Sequence, residues 1–199
     1  RLLCSVNPME AKQLADELNG FNQERKDIEG FVLEQSIEML EGTPQSWPMA
    51  FVYNKGWHQG VIGIVAGKLK ERYNLPAFVM SIEDDEVKGS ARSIPGVDLG
   101  ALIIAAKEKG VLTKGGGHTM AAGFSLTEAQ IPAFRTFAGE YIARSLNNTR
   151  PHPVINIDLS LSLPAANAGL CSELERLKPF GTGNPEPLLL LRGVYFQRP

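Results

Sequence analysis

Twelve of the twenty glycines fall between residues 54 and 123. Glycine inside an element costs about 0.5–1 kcal/mol relative to alanine, so a fold built on this window needs bare backbone at fixed places. Two uses are open: tight turns with close helix–strand packing, or backbone amides brought up to an anionic ligand.

The remaining composition narrows the class. With 199 residues, 43% hydrophobic and 21% charged, the chain can support one good core, or one domain and part of another. No apolar run approaches the roughly 18 residues of a membrane span, so a soluble protein without a membrane partner is expected. Twenty bases against 22 acids exclude a polyelectrolyte binder coated in positive charge. Residues 1–42 are the acidic part, with 4 bases and 9 acids. Cys4 and Cys171 lie far apart in no ligand or redox spacing and read as buried or reduced thiols, which suits a cytoplasmic protein. The opening Arg1-Leu2-Leu3-Cys4 is neither a start methionine nor a signal sequence, and suggests a fragment of something longer.

Hydrophobic periodicity predicts an α/β fold. Asn7-Pro8 with Glu10 forms a helix start, and Leu14, Leu18, Phe21, Ile28 and Val32 recur at helical spacing. One helix, or two broken near Gly20, therefore occupies about 8–40. Met49–Tyr53 reads as a strand, Gly60–Tyr73 as a helix with Gly63 and Gly67 letting it sit close to a sheet, and Pro76–Ile82 as a second strand. This βαβ pattern implies a sheet flanked by helices. Residues Glu83–Glu86 turn the chain into a third strand, Val87–Ser93, and Asp98 caps a helix ending at Gly110. A strand at Gly123–Leu126 and a helix marked by Phe134, Ala138 and Ile142 follow, with Pro132 blurring the helix start. Asn147–Pro153 reads as a linker. Beyond it Ile155, Ile157, Leu159, Leu161 and Leu163 alternate with polar residues, predicting a half-buried strand that opens an incomplete β-rich unit.

Three motifs could carry chemistry. Gly56-Trp57-His58-Gln59-Gly60 joins a strand to a helix N-terminus, where free amides favour an anion, although a lone histidine in a turn is commonly structural. In Lys88-Gly89-Ser90-Ala91-Arg92-Ser93, strand alternation puts Lys88, Ser90 and Arg92 on one face. That face suits a phosphate through the forked guanidinium and a short hydroxyl, or is an ordinary polar surface. Lys114-Gly115-Gly116-Gly117-His118 reads as a ligand-touching loop, a concave nest of amides with an imidazole at its edge. The three histidines and Asp84-Asp85 give no metal-ligand spacing, and no Walker-type loop or nucleophile elbow occurs.

In order, Gly56-Trp57-His58-Gln59-Gly60-Val61-Ile62-Gly63, Gly89-Ser90-Ala91-Arg92-Ser93, Gly115-Gly116-Gly117-His118 with Ala121-Ala122-Gly123, and Pro179-Phe180-Gly181-Thr182-Gly183-Asn184-Pro185-Glu186-Pro187 resemble the RecJ family of bacterial single-strand-specific exonucleases. The Gly-Gly-Gly-His element is shared across DHHA1 domains, including those of oligoribonucleases and cyclic-dinucleotide phosphodiesterases. Gln59 stands where the family commonly has proline. The resemblance implies a linking helix (1–45), a DHHA1 domain with a mixed sheet flanked by helices (46–147), a linker (148–153) and the truncated start of an OB-like domain (154–199). It further implies an intact enzyme of DNA repair and recombination that degrades single-stranded DNA from its 5′ end. The Mn2+ or Mg2+ of that enzyme would sit in an upstream DHH domain, leaving none bound here and this fragment inactive alone. By the same likeness Ser90 and Arg92 hold a phosphate near the 5′ end. Gly116, Gly117 and His118 would face the scissile phosphate, with His118 as the catalytic contact. Lys88, Ser93, Gly115 and the cleft-supporting His58 would complete the substrate-binding set. Single-strand-binding protein or a helicase enters only as a partner by family role. The competing expectations are a stand-alone nucleic-acid-binding module, or the DHHA1 part of an enzyme acting on short or cyclic nucleotides.

Overall fold

The computed structural model describes residues 1–42 and 48–195; the boundary expected between residues 45 and 46 lies outside the described residues. The chain divides into two compact units, Arg1–His152 and Pro153–Pro199.

The first unit opens with α1 (Pro8–Glu41), a single helix that runs unbroken through Gly20 and Gly30. Its start is fixed by the Asn7 side chain, which accepts from the amides of Met9 and Glu10, with Pro8 in the first turn. Its buried residues, Glu29, Val32, Ser36 and Leu40, all lie in the C-terminal half. Next come β1 (Ala50–Lys55), α2 (Ile62–Tyr73) and β2 (Ala77–Glu83), with β1 and β2 parallel. Asn74 ends α2 in the left-handed conformation at φ 50°. The two-residue turn Asp84-Asp85 then reverses the chain into β3 (Glu86–Arg92). Helix α3 (Leu99–Glu108) is capped by Asp98, whose carboxylate accepts from the Ala101 amide at 3.0 Å. The hairpin β4 (Lys114–His118) and β5 (Ala121–Thr127) leads into α4 (Ile131–Ser145). Pro132 falls in the first turn of α4, where its missing N–H costs nothing.

The five strands form one mixed sheet in the order β1-β2-β3-β5-β4. One face buries Phe78, Met80, Ala91, Phe124 and Leu126 against Leu102 and Ile103 of α3 and Phe134 and Ile142 of α4. The opposite face of β1 and β2 buries Ala50, Val52, Ala77 and Val79 against Val65 and Leu69 of α2 and Val32 and Leu40 of α1. Helices therefore cover both faces at the β1–β2 side, the arrangement a βαβ unit with hydrophobic strands requires.

The second unit holds β6 (Leu159–Leu161) and β7 (Leu189–Leu191), paired in parallel, and the short helix α5 (Ala168–Glu175).

Three sequence expectations need correction. The triple glycine is strand β4 and not a loop or nest, and none of Gly115, Gly116 and Gly117 has a positive φ. Pairing with β5 gives those amides a ladder, which wins over the freedom glycine offers. Among the described residues nothing lies within 4 Å of a Cβ on Gly67, so Gly63 and not Gly67 is the close-packing glycine of α2. The strand expected over 155–163 shrinks to three residues, and Ile155 is 72% exposed. Of the two readings of the cysteines, reduced thiols holds and burial does not: Cys4 and Cys171 are both free and exposed.

Candidate nucleic-acid interface

Antiparallel register builds a surface out of separate motifs. Arg92 pairs with Ala121, and Ala121 with His118; Ser90 pairs with Gly123, and Gly123 with Gly116; Lys88 pairs with Ser125, and Ser125 with Lys114. Directly paired residues share a face, so these nine residues make three rungs on one side of β3-β5-β4. Read across the strands, the rungs are Arg–Ala–His, Ser–Gly–Gly and Lys–Ser–Lys. Gly116, His118 and Gly123 are exposed, and neither β4 nor β5 contains a carboxylate. The floor is thus small and bare, and its borders are cationic.

Helix α2 closes one side. A Cβ on Gly63 would lie 3.1 Å from Ser90 Oγ and 3.2 Å from Arg92 Nη2, so glycine here lets the helix approach both side chains. The Arg92 guanidinium donates to Ser90 Oγ at 3.2 Å and to the Ala91 carbonyl at 2.9 Å. No acid pairs with Arg92 among the described residues, so the remainder of its donor fork is open to an anion.

The far end of the face is pinned at the Thr119-Met120 turn. The Met120 carbonyl accepts from the Ser93 amide at 2.9 Å, the Thr119 carbonyl accepts from the Leu99 amide at 3.1 Å, and Thr119 Oγ1 donates to Asp98 at 3.4 Å. One carboxylate therefore caps α3 and holds the hairpin tip that carries His118.

The predicted residues divide accordingly. Lys88, Ser90, Arg92, Gly116 and His118 share the rungs. Gly115 and Gly117 alternate to the other face, where a Cβ on Gly115 would meet Ile103 at 2.6 Å and one on Gly117 the Ala121 carbonyl at 2.5 Å. Ser93 is buried, its hydroxyl donating to the Val97 carbonyl at 2.7 Å, so it shapes the turn after β3. His58 stands in the turn before α2. There Gly56 takes a positive φ of 80°, and His58 Nδ1 accepts from the Gly60 amide at 3.0 Å. With Nδ1 accepting, the neutral ring carries its proton on Nε2. Trp57 anchors that turn, 3% exposed and donating through Nε1 to Gln35 of α1 at 2.8 Å. The same turn lines a cavity of about 520 Å3 with Ser81, Ile82 and Glu83.

Sequence reading missed Ser125, and it placed Lys114, Ala121 and Gly123 in motifs without assigning them to this face. Alternation within β5 could have found its side of the strand, but the register joining it to β3 and β4 is not written in any local pattern. Among the described residues no three of His, Cys, Asp or Glu come together as a metal site. The described residues therefore do not fit a metal centre.

A mixed sheet that ends in a glycine edge strand, joined in register through β5 to a Ser–Arg strand, with a small β unit following in the chain, fits a DHHA1-type protein. Family models show that class: the DHHA1 domain matches residues 47–144 and the RecJ OB domain residues 157–199. The chain belongs to the RecJ family. Among its relatives, the single-stranded-DNA-specific exonuclease RecJ of Bacillus subtilis is 33% identical over 198 residues, covering 98% of this chain and 25% of the relative. That of Escherichia coli is 36% identical over 194 residues, covering 94% of this chain and 33% of the relative. The crystal structure of RecJ in complex with Mg2+ from Thermus thermophilus matches with a TM-score of 0.79 at 32% identity, covering 95% of this chain and 29% of that one. Its Mn2+ complex matches with a TM-score of 0.78. The chain spans about a quarter to a third of the length of these relatives.

Proposed function

We propose that this chain is the DNA-gripping part of a single-strand-specific 5′-to-3′ exonuclease of DNA repair and recombination. The observation that supports this reading best is the rung pattern: bare glycine and alanine in the middle, Ser90 and Arg92 on one side, His118 on the other, and no carboxylate on β4 or β5. Small residues let a phosphodiester lie against the sheet. Arg92 offers a forked pair of donors and Ser90 a hydroxyl for the 5′-terminal phosphate. His118 faces the next phosphate, where it offsets negative charge that grows as the bond breaks. His58 and Trp57 hold the turn before α2, and through Gly63 that helix fixes the position of Arg92.

In this reading Mn2+ or Mg2+ is held by a part of the intact protein outside this chain, which alone binds DNA without cutting it. A cytoplasmic setting, and contact with single-strand-binding protein or a helicase, belong to the same proposal.

The test is fluorescence anisotropy of a 3′-labelled single strand bearing a 5′ phosphate or a 5′ hydroxyl, at low and moderate salt. Tighter binding of the phosphorylated strand, lost in Arg92→Ala, is the expected result; equal binding of both strands removes the end-recognition role of Arg92. In the intact enzyme, His118→Ala is expected to lower turnover more than binding, and normal turnover would count against its role.

A further inference from the structure

The third rung, Lys88–Ser125–Lys114, lies beyond Ser90 and Arg92, the two side chains proposed to hold the terminal phosphate. It lies two residues, or about 7 Å, along the strands from the Ser90–Gly123–Gly116 rung. Ser125 stands between two lysines that approach from the neighbouring strands on the same face. Lys114 is exposed and has no ion-pair partner among the described residues. Among the described residues Lys88 faces only Glu86, with Nζ 3.8 Å from its carboxylate, too far for a hydrogen bond. Beyond this rung the surface changes sign, because the β2–β3 hairpin carries four consecutive acids, Glu83, Asp84, Asp85 and Glu86.

We propose that Lys114, Ser125 and Lys88 form a separate subsite for an internal backbone phosphate, on the 3′ side of the bond to be cut. The inference rests on the reading of this face as the one that binds DNA. Two flexible ammonium groups and a hydroxyl recognise a phosphate oxygen without reading a base, so the subsite is indifferent to sequence. The acidic hairpin repels a phosphate carried further along β3, so the strand leaves the sheet at the lysine rung. Lys114 and Ser125 are thereby positioning residues that set how many nucleotides this part of the protein engages.

A set of 5′-phosphorylated strands, each carrying one neutral methylphosphonate at a different linkage, separates the two sites by anisotropy. The unaltered chain is expected to lose affinity about threefold to tenfold at one internal linkage, as for one charge-assisted contact. In Lys114→Gln that penalty disappears and the plot of log K against log salt becomes shallower by about 0.7, one phosphate's worth for a single strand. The preference for a 5′ phosphate survives in this variant. Lys88→Gln and Ser125→Ala should weaken the same linkage and no other. If Lys114→Gln and Lys88→Gln keep the original penalty and slope while the Arg92-dependent 5′ preference persists, the subsite is refuted and the general reading stands. Absence of binding to every strand refutes both.

Discussion

Gly116 and Gly117 are neighbours in β4 with opposite tolerances. Among the described residues nothing lies within 4 Å of a Cβ on Gly116, whereas one on Gly117 would sit 2.5 Å from the Ala121 carbonyl and 2.6 Å from Ala122 Cα. Backbone cannot yield as a side chain can, so Gly117→Ala is expected to cost about 1–3 kcal/mol in denaturant unfolding. Gly116→Ala should leave stability within about 0.5 kcal/mol yet weaken DNA binding, because its methyl stands where the phosphodiester lies. Equal unfolding midpoints for the two variants would contradict this geometry. Gly63→Ala makes a third case: its methyl meets the ends of Ser90 and Arg92, which can swing aside. A near-normal melting temperature with a reduced 5′-phosphate preference is the expected outcome. These distinctions were only half legible beforehand. That Ser90 and Arg92 share a face follows from strand alternation, but that Gly115 and Gly117 turn inward depends on the triple glycine being a strand, a fact set by its partner β5.

At the scale of elements, the union of α1 with α2 turns on one buried acid. Glu29 is 5% exposed and bridges Lys68 of α2 at 2.6 Å and Arg25 of α1 at 2.5 Å. The hydrogen bond from Lys68 holds its carboxyl below the ordinary carboxylate range; burial opposes this, and Arg25 adds to the lowering. A depressed folded-state pKa means stability that is present above the unfolded carboxyl value, about 4.3, and lost as pH falls through the folded value. Glu29→Gln is therefore expected to lower stability by about 1–2 kcal/mol at neutral pH. The gap to the unaltered chain should close as the pH drops below about 4; a gap independent of pH would rule out the ion pair as its cause. Nothing local in the sequence marks Glu29 as buried. Only the packing of α2 singles out Glu29 from the acids around it, since Lys68 lies 39 positions away in the chain.

For the whole molecule, the buried apolar residues of the described chain run from Val32 to Ile142, all within the first unit. A chain ending at His152 should thus keep cooperative unfolding and the sheet's circular dichroism; loss of both would show that residues beyond it are needed. The second unit draws its pattern from the alternation after residue 154, yet exposes Val154, Ile155, Leu159 and Leu163. Alternation reports which residues would face a partner layer and not whether that layer is present.

The sequence by itself determined the order of the elements in the first unit apart from β4, because caps, turn residues and hydrophobic periods are local and each names its own segment: Asn7 and Asp98 at helix starts, the Glu83–Glu86 turn, and the apolar strands Met49–Tyr53 and Pro76–Ile82. It also held the motifs that identify the family. What only the tertiary structure decided is the face itself. The order β1-β2-β3-β5-β4 and its register bring Arg92, Ser90 and Lys88 opposite His118, Gly116 and Lys114 across β5. Strand pairing is a non-local choice, fixed by the burial of Phe124 and Leu126 against α3 and α4. A slip of one residue would turn those side chains outward and take the rungs apart.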